Sequence, residues 1–199
     1  MHKHLNSWKN STSAFYQQLS RNKYELNNNF PPHWKNFVKT VLQIKPKRIV
    51  DIGCGVGAYC VLADQLDVDY IGYDYAQQAV NIAIENWGGN FICKGYQDMK
   101  AEDIIPKDLI VANAICDILP NGDECFEHLL SLGADNVLVQ RVRLTDKKSY
   151  FTEYEAYDLT TFEFYHNENH IDAIIKAHGY QATKLKLYEN IFDVTCIRS

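Results

Sequence analysis

At 199 residues the chain has room for one ordinary core, because a second module would leave each half too short to bury enough surface. Hydrophobic residues at 46% and charged residues at 23% exclude wholesale disorder, a collagen-like repeat and a coiled coil. The net charge of −5 is unevenly spread: residues 1–48 hold nine Lys or Arg against Glu25 alone, a balance of +8 that leaves −13 to residues 49–199. Such a basic segment either complements the acidic body and its solvent or helps to draw in an anionic substrate.

In chain order, Trp8, Phe15, Tyr16, Leu19 and Tyr24 stand at spacings that predict helical pieces over residues 1–29. The run Asn27-Asn28-Asn29 followed by Pro31-Pro32 breaks the chain. A second helix is expected after it, carrying Trp34, Phe37, Val38, Val41 and Leu42 and closing at Lys45-Pro46-Lys47. From residue 48 short apolar runs alternate with helical segments: RIVDIG, a helix over 58–66, DYIGYD, a helix over 76–86, NFICKG, a loop, DLIVANAI, a helix over 123–132, and NVLVQRV. That alternation predicts buried parallel strands joined by right-handed crossovers. Residues 150–165 hold seven aromatics, with an extra strand expected over 160–165. A helix follows from about Glu168, capped by Asn167 and stopped by Gly179, and then a terminal antiparallel pair, ATKLKLYEN and IFDVTCIR. The expected fold is therefore α/β, a doubly wound, mainly parallel seven-stranded sheet ending in an antiparallel hairpin. One domain is expected, with a helical cap (1–47), a cofactor-binding core (48–144) and a substrate-side segment with the closing hairpin (145–199).

The longest apolar stretches, such as 109–114, fall far short of the roughly 18 residues of a membrane helix, and the N-terminus holds no apolar run of a secretory leader. A cytoplasmic location is expected. The six cysteines (54, 60, 93, 116, 125 and 196) include no C-x-x-C pair, which points to reduced thiols and to no metal site.

The strongest chemical signal is Asp51-Ile52-Gly53-Cys54-Gly55-Val56-Gly57 at the end of the first strand. Glycines there let the backbone approach a ligand, and the amides of the following helix start are expected to face the crevice. The stretch also satisfies the loose dinucleotide fingerprint, but Asp51 would repel a pyrophosphate and could instead receive the ammonium of an amino-acid moiety. A tight strand-to-helix turn without a ligand is the plain alternative. Asp74, a carboxylate about 20 residues past that turn at a strand's carboxyl end, can accept two ribose hydroxyl bonds.

Here the sequence resembles the class I S-adenosylmethionine-dependent methyltransferases over roughly residues 34–199. The D-x-G-x-G-x-G stretch is similar to their first motif, which implies that Asp51, Gly53, Cys54, Gly55 and Gly57 hold the methionine part of S-adenosylmethionine. The resemblance places Asp74 on the ribose, Tyr75 beside the adenine, and Gln97 or Asp98 at the adenine amino group, although the family's usual Gly-Asp pair is absent from KGYQDM. It sets Asn113 and Ala114 near the cofactor, and Cys116 and Asp117 near the acceptor.

Methyl transfer from a sulfonium is an in-line displacement with a good leaving group, so the protein mainly positions the nucleophile and, where needed, removes its proton. Asp117 is the first candidate base, against a helix-capping role; His166 and His170, bracketing the last helix start, are the next, against structural roles. Arg141 and Arg143, two apart on one strand, share a face and suit an anionic acceptor, unless they pair with Glu153, Glu155 or Asp158. Tyr16, Trp34, Tyr150, Tyr154 and Tyr157 could cover the site as an aromatic lid or pack in the core. The expected activity is methylation of an oxygen or nitrogen of a small, anionic metabolite such as a sugar phosphate, nucleotide sugar or carboxylate. RNA or protein acceptors, aminopropyl transfer and a non-catalytic cofactor-binding module are the rivals; the acidic body disfavours nucleic acid. Oligomeric state is left open.

Overall fold

The computed structural model describes residues 7–24, 30–156 and 159–199; the side chains of 19–24 and 156 fall outside that description, as do Tyr157 and Asp158, so the expectations for Leu19, Tyr24, Tyr157 and Asp158 are not addressed. Helix α1 (Ser13–Tyr24) is followed by α2 (Pro32–Ile44), which begins at the proline break. Proline suits a helix's first turn, where its missing N–H has no partner to lose. Lys45 ends α2 in the left-handed region (φ 51), its N–H bonding the Val41 carbonyl.

The alternation that follows is β1 (Arg48–Ile52), α3 (Ala58–Gln65), β2 (Asp69–Asp74), α4 (Gln77–Trp87), β3 (Phe91–Cys93), two single 3₁₀ turns (96–98 and 101–103), β4 (Asp108–Asn113), α5 (Gly122–Ser131) and β5 (Asn136–Thr145). All five strands run parallel in the order β3-β2-β1-β4-β5, so the strand order reverses between β1 and β4. A crevice outside the carboxyl ends of the strands at such a reversal is where open α/β sheets take their ligands. Alternation along β1 explains the layers: Val50 and Ile52 join one core with Phe126, Leu129 and Ile171 of the helices on that side. Ile49 faces the other, with Trp34, Phe37 and Tyr59.

The fold class is the expected one, but the sheet has nine strands rather than seven. Two of them, β6 (Tyr150–Ala156) and β7 (Leu159–Asn167), form an antiparallel hairpin before α6 (Glu168–Ala177), where one short strand was expected. The closing pair is β8 (Tyr180–Lys186) and β9 (Ile191–Arg198), with β9 antiparallel to β5. Strand β5 is also longer than expected. Its pairing with β4 ends at Gln140, and its pairing with β7 begins at Arg143, which is simultaneously opposite Ile191 of β9. Since one residue meets two strands only across its two edges, β7 takes the edge that β4 has left. The hairpin thus continues the sheet past its carboxyl rim and walls the crevice.

Candidate functional site

A cavity of about 590 Å³ opens at the reversal point, within the range of small-molecule pockets. Gly53 and Gly55 line its floor, in left-handed conformations (φ 78 and 54) that only glycine adopts cheaply. A Cβ on Gly53 would lie 2.9 Å from Ile115 Cδ1, so the turn has no room for a side chain. The amides of the turn itself are taken up by the end of β2. Those of Gly53 and Cys54 donate to the Tyr73 carbonyl (2.7 and 3.0 Å), and that of Gly55 to Asp74 Oδ2 (2.8 Å). The turn is thereby stitched to the end of β2, and Asp74 is fixed on the cavity wall with its Oδ1 accepting the Ala76 amide at 2.8 Å.

Beyond Asp74 the wall continues through Tyr75, Lys94, Gly95, Gln97 and Asp98. A Cβ built on Gly95 would meet Gln97 Oε1 at 3.4 Å and Asp98 Oδ2 at 3.6 Å, so both side-chain oxygens fold back over that glycine. Lys94 is engaged elsewhere, its Nζ 2.6 Å from Asp103. Trp8, Lys9 and Tyr16, of which sequence reasoning singled out only Tyr16, close the top of this region. Ser7 Oγ donates to the Thr160 carbonyl and Trp8 Nε1 to Thr161 Oγ1, both at 2.9 Å, tying the N-terminal segment to β7. Burial, then the Asp74 carboxylate, push the Tyr16 hydroxyl well above the ordinary tyrosine range, so it stays protonated.

The far end is built from Asn113 and Ala114 at the end of β4, the apolar side chains of Ile115, Ile118, Leu119 and Pro120, and Arg141 and Tyr154 from β5 and β6. Asn113 Oδ1 is buried and accepts no hydrogen bond among the described residues. Ile118, Leu119 and Pro120 carry no polar signal, which is why sequence reasoning passed over them.

Several expected site residues lie elsewhere. Asp51 is 1% exposed and does not line the cavity; alternation turns it to the α2 and α3 side of β1, where Oδ2 accepts the Tyr70 hydroxyl at 2.7 Å. Cys54 packs with Val80 and Phe91, and Gly57 backs onto the Phe91 ring. Trp34 belongs to the core with Phe37 and Tyr59 rather than to a lid, and Tyr150 stacks on Tyr165 with ring centres 4.8 Å apart. Of the proposed aromatic cover, Tyr16 and Tyr154 alone line the cavity among the described residues.

Arg141 and Arg143 do not act as one surface. The β5–β9 register shifts between Val139 and Val142, and Arg141 sits in that bulge with φ 63, which breaks the period of two. Arg141 lines the cavity, whereas Arg143 bonds Glu163 at 2.8 Å and stands with Nε 4.0 Å from Asp117. Asp117 lies behind the wall, 3% exposed, and burial raises its carboxyl above the usual range against the pull of Arg141, Arg143 and His166. His166 is fully buried with Nδ1 2.7 Å from Asp123 Oδ1, and His170, exposed, has Nε2 3.9 Å from Asp123 Oδ2. Neither histidine lines the cavity; both converge on one carboxylate beneath the hairpin.

A carboxylate, two bare glycines and two side-chain oxygens arranged along one wall fit a nucleoside with an amino-acid tail. Among the described residues no cluster of three metal-ligating side chains occurs, and no helix is long and apolar enough to cross a membrane. Comparison with known proteins agrees with that fit. A family model described as a methyltransferase domain matches residues 27–185. The ribosomal protein L11 methyltransferase of Thermotoga neapolitana is 33% identical over 88 residues, a match spanning 41% of this chain and 32% of that protein. The chain thus covers about a third of the curated relative's length. Magnesium protoporphyrin IX methyltransferase from Synechocystis PCC 6803, solved with bound S-adenosylmethionine, superposes with a TM-score of 0.66 at 13% identity, covering 100% of this chain and 99% of that one. An amino pentose methyltransferase from Micromonospora echinaspora, also bound to S-adenosylmethionine, gives 0.66 at 9% identity over 92% and 96%. At such identities the two structures attest the fold alone. The family match spans most of the chain, and the fold agrees with it: the chain belongs to the methyltransferase domain family, with the fold of S-adenosylmethionine-dependent methyltransferases.

Proposed function

We propose that the enzyme methylates an oxygen or nitrogen of a small anionic metabolite held at the Ile118–Arg141–Tyr154 end of the cavity. The observation that carries this reading is Arg141: its guanidinium lines the cavity and makes no ion pair or side-chain hydrogen bond among the described residues. A guanidinium left unpaired at a partly enclosed wall is matched to an incoming carboxylate or phosphate.

The cofactor supplies an electrophilic methyl group on a sulfonium. The chain's own residues do the rest: Asp74 accepts ribose hydroxyls, Tyr75 flanks the adenine, and Gln97 Oε1 and Asp98 Oδ2 receive its amino group. Gly53 and Gly55 let the amino-acid tail lie against the backbone, with Asn113 and Ala114 beside it, and the 7–16 segment serves as a cap that excludes water. Asp117 acts as a positioning residue through its charge on Arg141 and Arg143, and His166 and His170 brace the hairpin that carries Tyr154. We place the protein in the cytoplasm, where its six free cysteines would remain thiols; Cys116 Sγ donates to Cys125 Sγ at 3.6 Å, with no disulfide between them.

The test is transfer of labelled methyl groups from S-adenosylmethionine to a panel of small anions, alongside calorimetry with S-adenosylhomocysteine and nicotinamide dinucleotides. Tight S-adenosylhomocysteine binding with label on a small molecule supports the reading; label on protein or RNA alone overturns it. A protein acceptor is the second reading, favoured by the likeness to the ribosomal protein methyltransferase.

A further inference from the structure

We propose that the acceptor is a monocarboxylate with an apolar body, its carboxylate on the Arg141 guanidinium and its hydrocarbon against Ile118, Leu119 and Pro120. This rests on the small-anion reading above and narrows it against the phosphates and nucleotide sugars that the sequence left open.

The argument begins with charge. Arg143, the nearest other cation, is already paired with Glu163 at 2.8 Å and faces the buried Asp117. Asp117 also acts on Arg141 and on Tyr154, so this end of the cavity holds one guanidinium that makes no ion pair among the described residues, with a carboxyl group behind it. Asp74 and Asp98 line the same cavity; of its two lysines, Lys94 is paired with Asp103 and Lys9 stands with Trp8 and Tyr16, away from the Arg141 end. One guanidinium compensates one negative charge; a phosphate dianion or a diphosphate would place its second charge among carboxylates in a partly desolvated space. The flat carboxylate also matches the guanidinium fork with two parallel hydrogen bonds.

Polarity supplies the second step. Beside the polar groups of Asn113, Asn121 and Tyr154, the same cavity offers the apolar surface of Ile115, Ile118, Leu119 and Pro120, which has no side-chain donors or acceptors. Sugar hydroxyls laid there would lose water without gaining partners, whereas methylene or aromatic carbons gain from the same burial. The third step is position. Arg141 is held at φ 63, a conformation unfavourable for a residue with a side chain, and a buried carboxylate, Asp193, fixes its amide at 3.1 Å. A bulge of this kind re-aims a side chain, here into the cavity.

The experiment is calorimetry on the full chain saturated with S-adenosylhomocysteine. Phenylacetate, 3-phenylpropanoate and hexanoate are titrated beside their primary amides, phenyl phosphate and glucose 1-phosphate. At least one carboxylate should bind tenfold or more tightly than its amide and than either phosphate. Arg141→Gln should erase that advantage while S-adenosylhomocysteine affinity stays within twofold, which also shows that the variant is folded; Arg141→Lys should retain part of it. Carboxylates no tighter than their amides, or a phosphate tighter than all of them, overturns the proposal, as does a tenfold loss of S-adenosylhomocysteine affinity in Arg141→Gln, which would put this residue on the cofactor. Methyl label passing to a sugar phosphate would sink this inference and leave the small-anion reading intact; label on protein or RNA alone would sink both.

Discussion

The carboxylate of Asp193 accepts the backbone amide of Arg141 through Oδ1 at 3.1 Å, while its Oδ2 takes the side-chain amides of Asn36 and Gln140, each at 2.8 Å. Gln140 extends the network by accepting the Tyr59 hydroxyl at 2.6 Å. Helices α2 and α3 and strands β5 and β9 thus meet at one buried acid, whose carboxyl burial pushes up and these donors pull down. Asp193→Ala leaves three donors without their acceptor and should cost about 3 kcal/mol or more of stability in urea unfolding. Acceptor affinity should fall as well, because the bulge that aims Arg141 loses its anchor; an unchanged acceptor KM in the folded variant would show that the bulge holds by itself.

Asp74 accepts two backbone amides, from Gly55 and Ala76, which fix its carboxylate on the cavity wall. Asp74→Ala should weaken S-adenosylhomocysteine binding by about 1.5–3 kcal/mol, the scale of a lost hydrogen bond to a charged group. Calorimetry reads this directly. Equal affinity in the variant would mean that the ribose lies elsewhere.

Gly57 shows how an apparent binding motif divides between ligand and scaffold. It has φ 79 at the start of α3, and a Cβ there would lie 2.7 Å from the Phe91 ring. Gly57→Ala should therefore destabilise the chain by roughly 2 kcal/mol or more, combining left-handed strain with overlap against a buried aromatic. Thermal unfolding should drop by several degrees while the folded fraction keeps its cofactor affinity.

The pair Asp123–His166 supplies a pH-dependent term. Burial raises the Asp123 carboxyl, but bonds from His166 and Ser149 outweigh it and hold the group below the ordinary carboxylate value. A depressed folded pKa gives stability that is present above the unfolded value, about 3.9, and is lost as pH falls through the folded one. Asp123→Asn should thus be less stable than the wild type by about 1 kcal/mol near neutrality, with the gap closing as pH falls below the ordinary carboxylate range. Parallel unfolding free energies at every pH would show that the carboxylate charge contributes nothing.

The order of elements from 48 to 144 was readable because the central strands β1 and β4 are buried on both faces and the helices bury apolar side chains, so local pattern and tertiary role coincide. Asp74 was readable for a related reason: a carboxylate at a strand's carboxyl end has few structural uses. Strand β6 was hidden, since Tyr150–Ala156 is an edge strand whose residues pair across to β7, as in Phe151 with Phe164 and Tyr154 with Thr161, and owes its form to that partner more than to its own pattern. Asp51 was placed on the cofactor by its position in a motif, while strand alternation put it against Tyr70.

The sequence by itself determined the layered sheet, the glycine turn and the acid that faces it, because these follow from residue periodicity and from conformations open only to glycine. Which charged side chain faces the cavity was decided by the tertiary structure alone. Arg141 and Arg143 are alike in type and two residues apart, and they differ only because a bulge anchored by Asp193, 52 positions away, turns one into the cavity while Glu163 on the neighbouring hairpin neutralises the other.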